Sequence, residues 1–149
     1  MGRPGIRARA LRLLARREHS RSELERKLAE GTADPREVAD LLDDFERRGW
    51  LSEARVAEQH LAKARGRYGP RRVLNDLKQK GLSGDALTQA AAQLKQSELE
   101  SATQAWRNRF GQPPSDLKDK ARQARFLAGR GFSAEVIRVL LGGGSDDEV

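Results

Sequence analysis

The sequence has no cysteine and only two histidines, and both shortages exclude kinds of chemistry. Without cysteine the chain can form neither disulfides nor thiolate metal ligands, which is compatible with a reducing compartment. Aromatic residues make up only 5% of the chain, so leucine and alanine must fill any core. No apolar run approaches the ~18 residues of a membrane-spanning helix, and the start lacks a secretory apolar stretch. We therefore expect a cytoplasmic chain with no membrane segment.

The usual signatures of catalysis are also missing. His19 and His60 lie far apart, and we expect each to pack or cap within a helical fold rather than to catalyse. The chain contains neither a phosphate-binding Gly-x-x-x-x-Gly-Lys-Ser/Thr loop nor a Gly-x-Ser-x-Gly nucleophile elbow. We predict that the protein is not an enzyme, with no catalytic residues, no metal site and no cofactor.

What the chain does contain is a helical unit that recurs. Between Tyr68 and Ser83, Pro70 suits a first helical position, Gly81 the position just past a helix end, and Ser83 the cap of the next helix. The segment KGLSGDAL at 80–87 returns as RGFSAEVI at 130–137, and Gly31 stands as far before Gly81 as Gly131 stands after it. We interpret this pattern as three copies of one unit.

We accordingly predict an all-α fold, an elongated and curved array of three tandem three-helix repeats. The repeats are assigned to residues 1–49, 50–96 and 97–141, and a flexible acidic tail to residues 142–149.

Several helix starts can be predicted from capping residues. Ser20 opens a capping box, and Asp34 precedes a proline that suits a first helical turn. Ser97 and Ser115 are expected to cap two helices of the third repeat. The inner face of the helix after Ser115 is predicted to carry Leu117, Ala121, Ala124 and Ala128.

Charge alternates along the chain with the same period as the repeat. Residues 1–30, 63–80 and 107–130 are net basic, and the segments that follow each of them are net acidic. The 63–80 segment carries seven bases and a single acid, Asp76. Any one charged run is more often a solvated helix face, but three runs in register could align as a basic stripe. Such a stripe suits phosphates or the acidic surface of a protein filament.

Three aromatic residues could serve either the core or a partner. Trp50 and Trp106 sit where each repeat needs a hydrophobic anchor, so we assign both to the core rather than to base stacking. Tyr68 lies in a glycine-flanked turn beside four arginines, and for it packing and partner contact are equally well supported.

Taken in order, these motifs resemble those of the RecX family of bacterial regulatory proteins. The resemblance covers residues 7–141 and is carried by Leu13–Ser20 with Glu23, Leu24, Lys27 and Leu28, by Arg47 with Gly49–Leu51, by Tyr68–Pro70 with Leu77, Lys80 and Gly81, and by Arg125–Leu127 with Arg130–Phe132.

The resemblance implies a protein that lies in the groove of the RecA filament on DNA. It would limit filament extension and damp ATP hydrolysis and strand exchange, acting as a monomer without catalytic residues. Single- or double-stranded DNA is expected as a weaker partner on its own. The residues predicted to contact the filament or DNA are Arg12, Arg16, Arg17, Arg21, Arg65, Arg67, Tyr68, Arg71, Arg72, Lys78, Lys80, Lys118, Arg122, Arg125 and Arg130.

Two alternatives remain at this point. A plain DNA-binding protein could dock helix-turn-helix-like units on phosphates and act by competing for DNA. An inert helical scaffold would leave the charge bands unexplained.

Overall fold

The structure is a computed structural model that describes residues 5–31 and 34–142. These residues form helices and no strand, which confirms the all-α prediction. The acidic tail expected at 142–149 lies outside the described residues, apart from Gly142. In the described residues the helices are α1 Ile6–Arg16, α2 Arg21–Ala29, α3 Pro35–Arg47, α4 Glu53–Ala64, α5 Pro70–Gln79, α6 Gly84–Arg109, α7 Leu117–Gly129 and α8 Ala134–Leu140.

The capping residues of the first repeat act as the sequence predicts. The Ser20 hydroxyl accepts a hydrogen bond from the Glu23 amide, and the Glu23 carboxylate accepts one from the Ser20 amide, completing a capping box. Asp34 caps α3, with Pro35 in the first turn. Pro70 likewise begins α5 after the Gly69 cap.

In the part of the chain that the structure describes, the core consists of three separate hydrophobic clusters, one in each repeat. The first holds Leu24, Leu42 and Phe45, and the second is built around Val73 and Leu77. Leu127 and Phe132 belong to the third. Because no single core unites them, the fold is an array of small units, as the period of the sequence indicates.

Helix α6 corrects one prediction, because no helix starts at Ser97. The helix continues from Gly84 to Arg109, and the Ser97 hydroxyl donates to the Gln93 carbonyl at 3.0 Å as a side chain within a helix. No glycine or proline interrupts residues 85–109, so nothing forces a break there. The same helix supplies Leu94 to the second cluster and Ala102 to the third.

Two predictions about α7 are also wrong, that of its capping residue and that of its inner face. Its cap is Asp116 rather than Ser115, and the Asp116 carboxylate accepts from the Asp119 amide at 2.7 Å. Its buried side chains are Gln123 and Leu127, whereas Leu117 at the start of the predicted inner face is 84% exposed. The face that carries Leu117, Ala121 and Ala128 therefore points outward, and the third core is covered from another side of the helix.

The first and second repeats meet where the end of α5 contacts the start of α2. The Ser20 hydroxyl donates to the Lys80 carbonyl, and the Arg26 guanidinium donates to the Gln79 carbonyl at 3.3 Å. Gly81 has a φ of +93°, and a Cβ there would overlap the Ser22 side chain. Only glycine therefore fits the turn and the close contact together.

The second and third repeats meet in the same way, with the end of α7 against the start of α5. The Gly69 amide donates to the Arg130 carbonyl at 2.7 Å, and the Arg71 amide donates to the Gly131 carbonyl at 3.2 Å. Gly131 has a φ of +96°, and a Cβ there would lie 2.7 Å from the Arg72 backbone nitrogen.

The second helix of each repeat thus contacts the next one end to end. We call this arrangement of α7, α5 and α2 the second-helix row. In each joint a helix C-terminus meets a helix N-terminus, so the negative end of one dipole faces the positive end of the next. At the joint of α7 with α5, amides at a helix start donate to carbonyls at a helix end. At the joint of α5 with α2, the Ser20 hydroxyl and the Arg26 guanidinium donate to such carbonyls instead.

Gly131→Ala should open the joint between the second and third repeats. A methyl group would require a left-handed backbone, costing about 1–2 kcal/mol, and would press against Arg72. We expect the free energy of unfolding to fall by about 2 kcal/mol or more, measured by urea titration.

The matched control is Gly129→Ala, at the last residue of α7 and two residues before Gly131. A Cβ at Gly129 meets nothing within 4 Å, so alanine should be neutral or stabilising by up to about 1 kcal/mol. Equal effects of the two substitutions would contradict the proposed packing of Gly131.

Candidate partner and nucleic-acid surface

In the first repeat, two predicted contact residues are exposed on α1. Arg12 and Arg16 line a groove of about 660 Å³ between α1 and α2, together with Arg9 and Lys27. The Arg9 guanidinium donates to the Lys27 carbonyl at 3.1 Å, and this hydrogen bond links α1 to α2. The groove is therefore a mainly basic surface, with Glu30 as an acidic member of its lining.

Arg21 is placed differently, because the fold engages its charge. Its guanidinium contacts Glu25 at 3.0 Å and Asp43 at 2.8 Å, and also pairs with Glu46. The hydrogen bonds from Arg21 to Glu46 and Asp43 raise its pKa. This residue ties α2 to α3, and little of its charge is available to a partner.

Arg17 and Lys80 are engaged by a single buried carboxylate, that of Glu23. Glu23 is 5% exposed and accepts from Arg17 at 2.8 Å, while the Lys80 ammonium lies 3.5 Å away. Burial alone would raise the pKa of Glu23, but the hydrogen bonds from Arg17 and the Ser20 amide, with the charge of Lys80, lower it to about 2. Glu23 therefore holds the first joint of the second-helix row.

The central segment keeps more of its charge available. Arg65, Arg67, Arg71, Arg72 and Lys78 are all exposed. The Arg71 guanidinium donates to the Ala128 carbonyl at 2.8 Å, and Arg72 lies 3.8 Å from Asp76. Within residues 5–31 and 34–142, neither Arg67 nor Lys78 lies in an ion pair.

Tyr68 packs against the core and also lies between two arginine side chains, and its contact with a partner stays a prediction. Its ring is half-buried against the second cluster, yet the Arg72 guanidinium lies 4.4 Å from the ring centroid and that of Arg130 lies 5.0 Å away. The joint between the second and third repeats thus places one aromatic ring between two cations.

In the third repeat, Lys118, Arg122 and Arg125 are exposed and Arg130 is half-buried. Arg122 pairs with Asp119 at 2.7 Å. The Ser115 amide and the Arg122 guanidinium both donate to Asp119 and lower the pKa of its carboxyl.

Sequence reasoning missed a groove between α7 and α8. It encloses about 640 Å³, and its floor includes Leu117, Ala121, Ala124 and Ala128, the face assigned to the core. The rim is basic, formed by Arg71, Lys120, Arg125 and Arg138. The regular apolar spacing on α7 was visible in the sequence, but it does not reveal which face a neighbouring helix covers.

Sequence reasoning also missed Arg109, Phe110 and Phe126, which lie among the predicted arginines. Arg122, Phe126 and Arg130 follow one another at intervals of four residues, which places them on one side of α7. That four-residue spacing was the signal in the sequence that could have placed Phe126 between the two arginines.

The histidines pack as expected. His19 is buried, and its Nδ1–H donates to the Arg17 carbonyl at 3.0 Å, while burial lowers its pKa. His60 lies 3.2 Å from Asp76. Over residues 5–31 and 34–142, no cluster of histidine and carboxylate side chains could hold a metal ion, and no helix is long and apolar enough to cross a membrane.

The two tryptophans differ. Trp106 is half-buried in the third cluster and donates to Gln123 at 2.8 Å, in agreement with a core role. Trp50 is 37% exposed, so the prediction of a core anchor is wrong there. Its ring packs edge-on against Phe45, with the ring centroids 5.2 Å apart. The Arg48 guanidinium also lies near the Trp50 ring, 5.0 Å from its centroid.

The charge on Glu23 should make the first joint sensitive to acid. Glu23→Gln keeps the side-chain shape but leaves Arg17 and Lys80 without their anion, so we expect a loss of about 2 kcal/mol in unfolding free energy at neutral pH. The folded pKa of about 2 lies below the ordinary value of 4.5. The stabilisation is therefore complete above pH 4.5 and disappears as the pH falls towards 2.

Urea titrations at several pH values check this prediction. Glu25→Gln is the control, because Glu25 is an exposed partner of Arg21 and its loss should cost at most about 0.5 kcal/mol. A Glu23→Gln deficit that persists unchanged near pH 2 would refute the electrostatic account.

Comparison with known proteins agrees with this architecture. Residues 7–45 match the model of the first three-helix domain of RecX, and residues 96–141 match that of the third. The solved structure of RecX from Lactobacillus salivarius superposes with a TM-score of 0.76 and 17% identity, covering 93% of each chain.

Curated relatives share much more sequence. Regulatory protein RecX of Leptothrix cholodnii is 48% identical over 91% of this chain and 87% of its own length. Regulatory protein RecX of Ralstonia nicotianae is 45% identical over 93% of this chain and 87% of its own. The chain belongs to the RecX family of regulatory proteins.

Proposed function

We propose that this protein is a negative modulator of the RecA recombinase. It binds along the groove of the RecA filament on DNA, limits filament extension, and slows ATP hydrolysis and strand exchange. The observation that carries the proposal is the second-helix row, whose end-to-end joints hold basic side chains of successive repeats in a fixed order. A filament is itself a repeating surface, and a rigid array of repeats suits it.

The predicted contact residues fall into two groups, those that hold the fold together and those that are exposed to a partner. Arg17, Arg21 and Lys80 hold helices together through buried or shared carboxylates. Exposed bases, with Arg12, Arg67 and Lys78 as examples, carry the contact with phosphates or acidic side chains. The protein acts as a monomer in the cytoplasm, by binding rather than by catalysis.

The groove between α7 and α8 is the surface proposed for the protein part of the filament. Its apolar floor offers contact area, and its basic rim favours an acidic segment of RecA over a neutral one.

A second candidate function is direct competition for DNA. Arg67 and Lys78 favour it, because both are exposed and neither forms an ion pair within residues 5–31 and 34–142. Such side chains can bind DNA phosphates directly, without RecA. It requires tight binding to naked DNA with a steep salt dependence.

ATP hydrolysis by RecA on single-stranded DNA separates the two candidates. With this protein added well below the concentrations of RecA and of DNA sites, strong inhibition is expected, because each bound molecule acts on a filament. Inhibition only at DNA-covering concentrations, relieved by extra DNA, would favour competition.

Charge reversal tests the proposed surface. The double variant Arg67→Glu with Lys78→Glu should lose at least tenfold in inhibitory potency, because two exposed cations become anions. The matched control reverses Arg36 and Lys95, which are also exposed but lie in acidic segments of the chain. Equal losses in both double variants would mean that net charge alone matters.

A further inference from the structure

Arginines and aromatic rings alternate across the joint between the second and third repeats. Arg72 and Arg130 flank Tyr68 at 4.4 and 5.0 Å, Arg130 and Arg109 lie 4.9 and 5.5 Å from Phe126, and Arg109 and Arg122 lie 5.7 and 4.9 Å from Phe110. We call this series the arginine–aromatic ladder; in order, it runs Arg72, Tyr68, Arg130, Phe126, Arg109, Phe110, Arg122.

Three parts of the chain build the ladder. Helix α7 supplies Arg122 and Phe126, and its C-cap residue is Arg130; the three follow at four-residue intervals and span about 12 Å. The end of α6 supplies Arg109 and Phe110, and the Phe110 ring meets Phe126 edge-on at 5.4 Å.

The joint of the second-helix row then adds the last two members. The hydrogen bond from the Gly69 amide to the Arg130 carbonyl brings Tyr68 and Arg72 against the end of α7. The part of the ladder formed by Arg72 and Tyr68 therefore joins the rest only when the second and third repeats are docked.

The ladder is neither a core nor a set of saturated ion pairs. All three rings are half-buried, so each keeps a part of its surface accessible. Among residues 5–31 and 34–142, no carboxylate pairs with Arg109 or Arg130. Arg72 and Arg122 each have one acidic neighbour, at 3.8 and 2.7 Å. Arg21, which meets three carboxylates, shows what a purely structural arginine looks like in this fold.

We propose that the ladder is a stacking surface for the bases of single-stranded nucleic acid. This rests on the proposed function and specifies which form of DNA the third repeat meets. Unpaired bases can stack on aromatic rings and on guanidinium planes, while the same arginines neutralise neighbouring phosphates. In a duplex the base faces are already stacked on one another and cannot reach the rings.

Binding of the full chain to three probes tests the proposal. The probes are an oligothymidylate of about 16 nucleotides, an abasic phosphodeoxyribose oligomer of equal length, and a duplex of equal length. Wild type should bind the oligothymidylate most tightly. Tyr68→Leu and Phe110→Leu should each weaken that binding about tenfold and leave affinity for the abasic oligomer within about twofold, because one base–ring contact is lost and the charges remain.

Two controls accompany these variants. Trp50→Leu removes an exposed ring that also lies near arginines but packs against Phe45 of the first repeat, away from the ladder. It should change binding by less than about twofold. Unfolding by urea establishes that each variant is folded. Phe110 lies at the last turn of α6, away from the second cluster that Tyr68 packs against, so it provides the test if Tyr68→Leu unfolds.

Equal affinity of wild type for the oligothymidylate and the abasic oligomer would overturn the proposal. So would equal losses for both probes in the folded variants, since the rings would then support only the fold. Neither result would affect inhibition of RecA by wild type, which is measured separately, so a failure of the ladder is distinguishable from a failure of the proposed function.

Discussion

The rest of the structure depends on the end-to-end contact of the second helices. Both ends of α5 are used in this contact, its start against the end of α7 and its end against the start of α2. A helix start has amides without partners and a helix end has carbonyls without partners, so each joint satisfies groups that water would otherwise have to solvate. Gly81 and Gly131 permit the approach, because each combines a positive φ with a position where a Cβ would overlap the neighbouring helix.

Charge has two distinct uses in this chain, and net charge alone does not separate them. Some bases, such as Arg17 and Arg21, form ion pairs with carboxylates, and these pairs fix one helix against another. Others, such as Lys78, remain exposed. Position at a joint does not by itself decide the use: Lys80 pairs with Glu23 at the first joint, whereas Arg71 at the second joint donates to the Ala128 carbonyl. The charge bands of the sequence are therefore partly scaffold and partly surface.

Much of the fold could be predicted from local signals. The capping box at Ser20, the cap at Asp34 and the proline that starts α5 depend on neighbouring residues alone, and all three act as expected. The break expected at Ser97 is wrong, because a serine within a run of helix-forming residues can bond to the preceding turn instead of capping.

The site was harder to predict, because it depends on contacts between repeats. The outward face of α7 has the apolar spacing of a core face, and only the position of α8 reveals that it lines a groove. The arginine–aromatic ladder joins residues of α5, α6 and α7 that lie far apart in sequence. Local patterns identified most of its arginines and Tyr68, but they could not show that the rings stand between them.

Amide hydrogen exchange at Gly69 and Arg71 tests the central claim most directly. Both amides precede or begin α5, where no carbonyl of the same helix can accept their hydrogen bonds, so only the joint with α7 can protect them. The account predicts protection of these two amides comparable to that of Val73 inside the helix. Rapid exchange at Gly69 and Arg71 beside a protected Val73 would mean that the repeats are not docked end to end, and would contradict it.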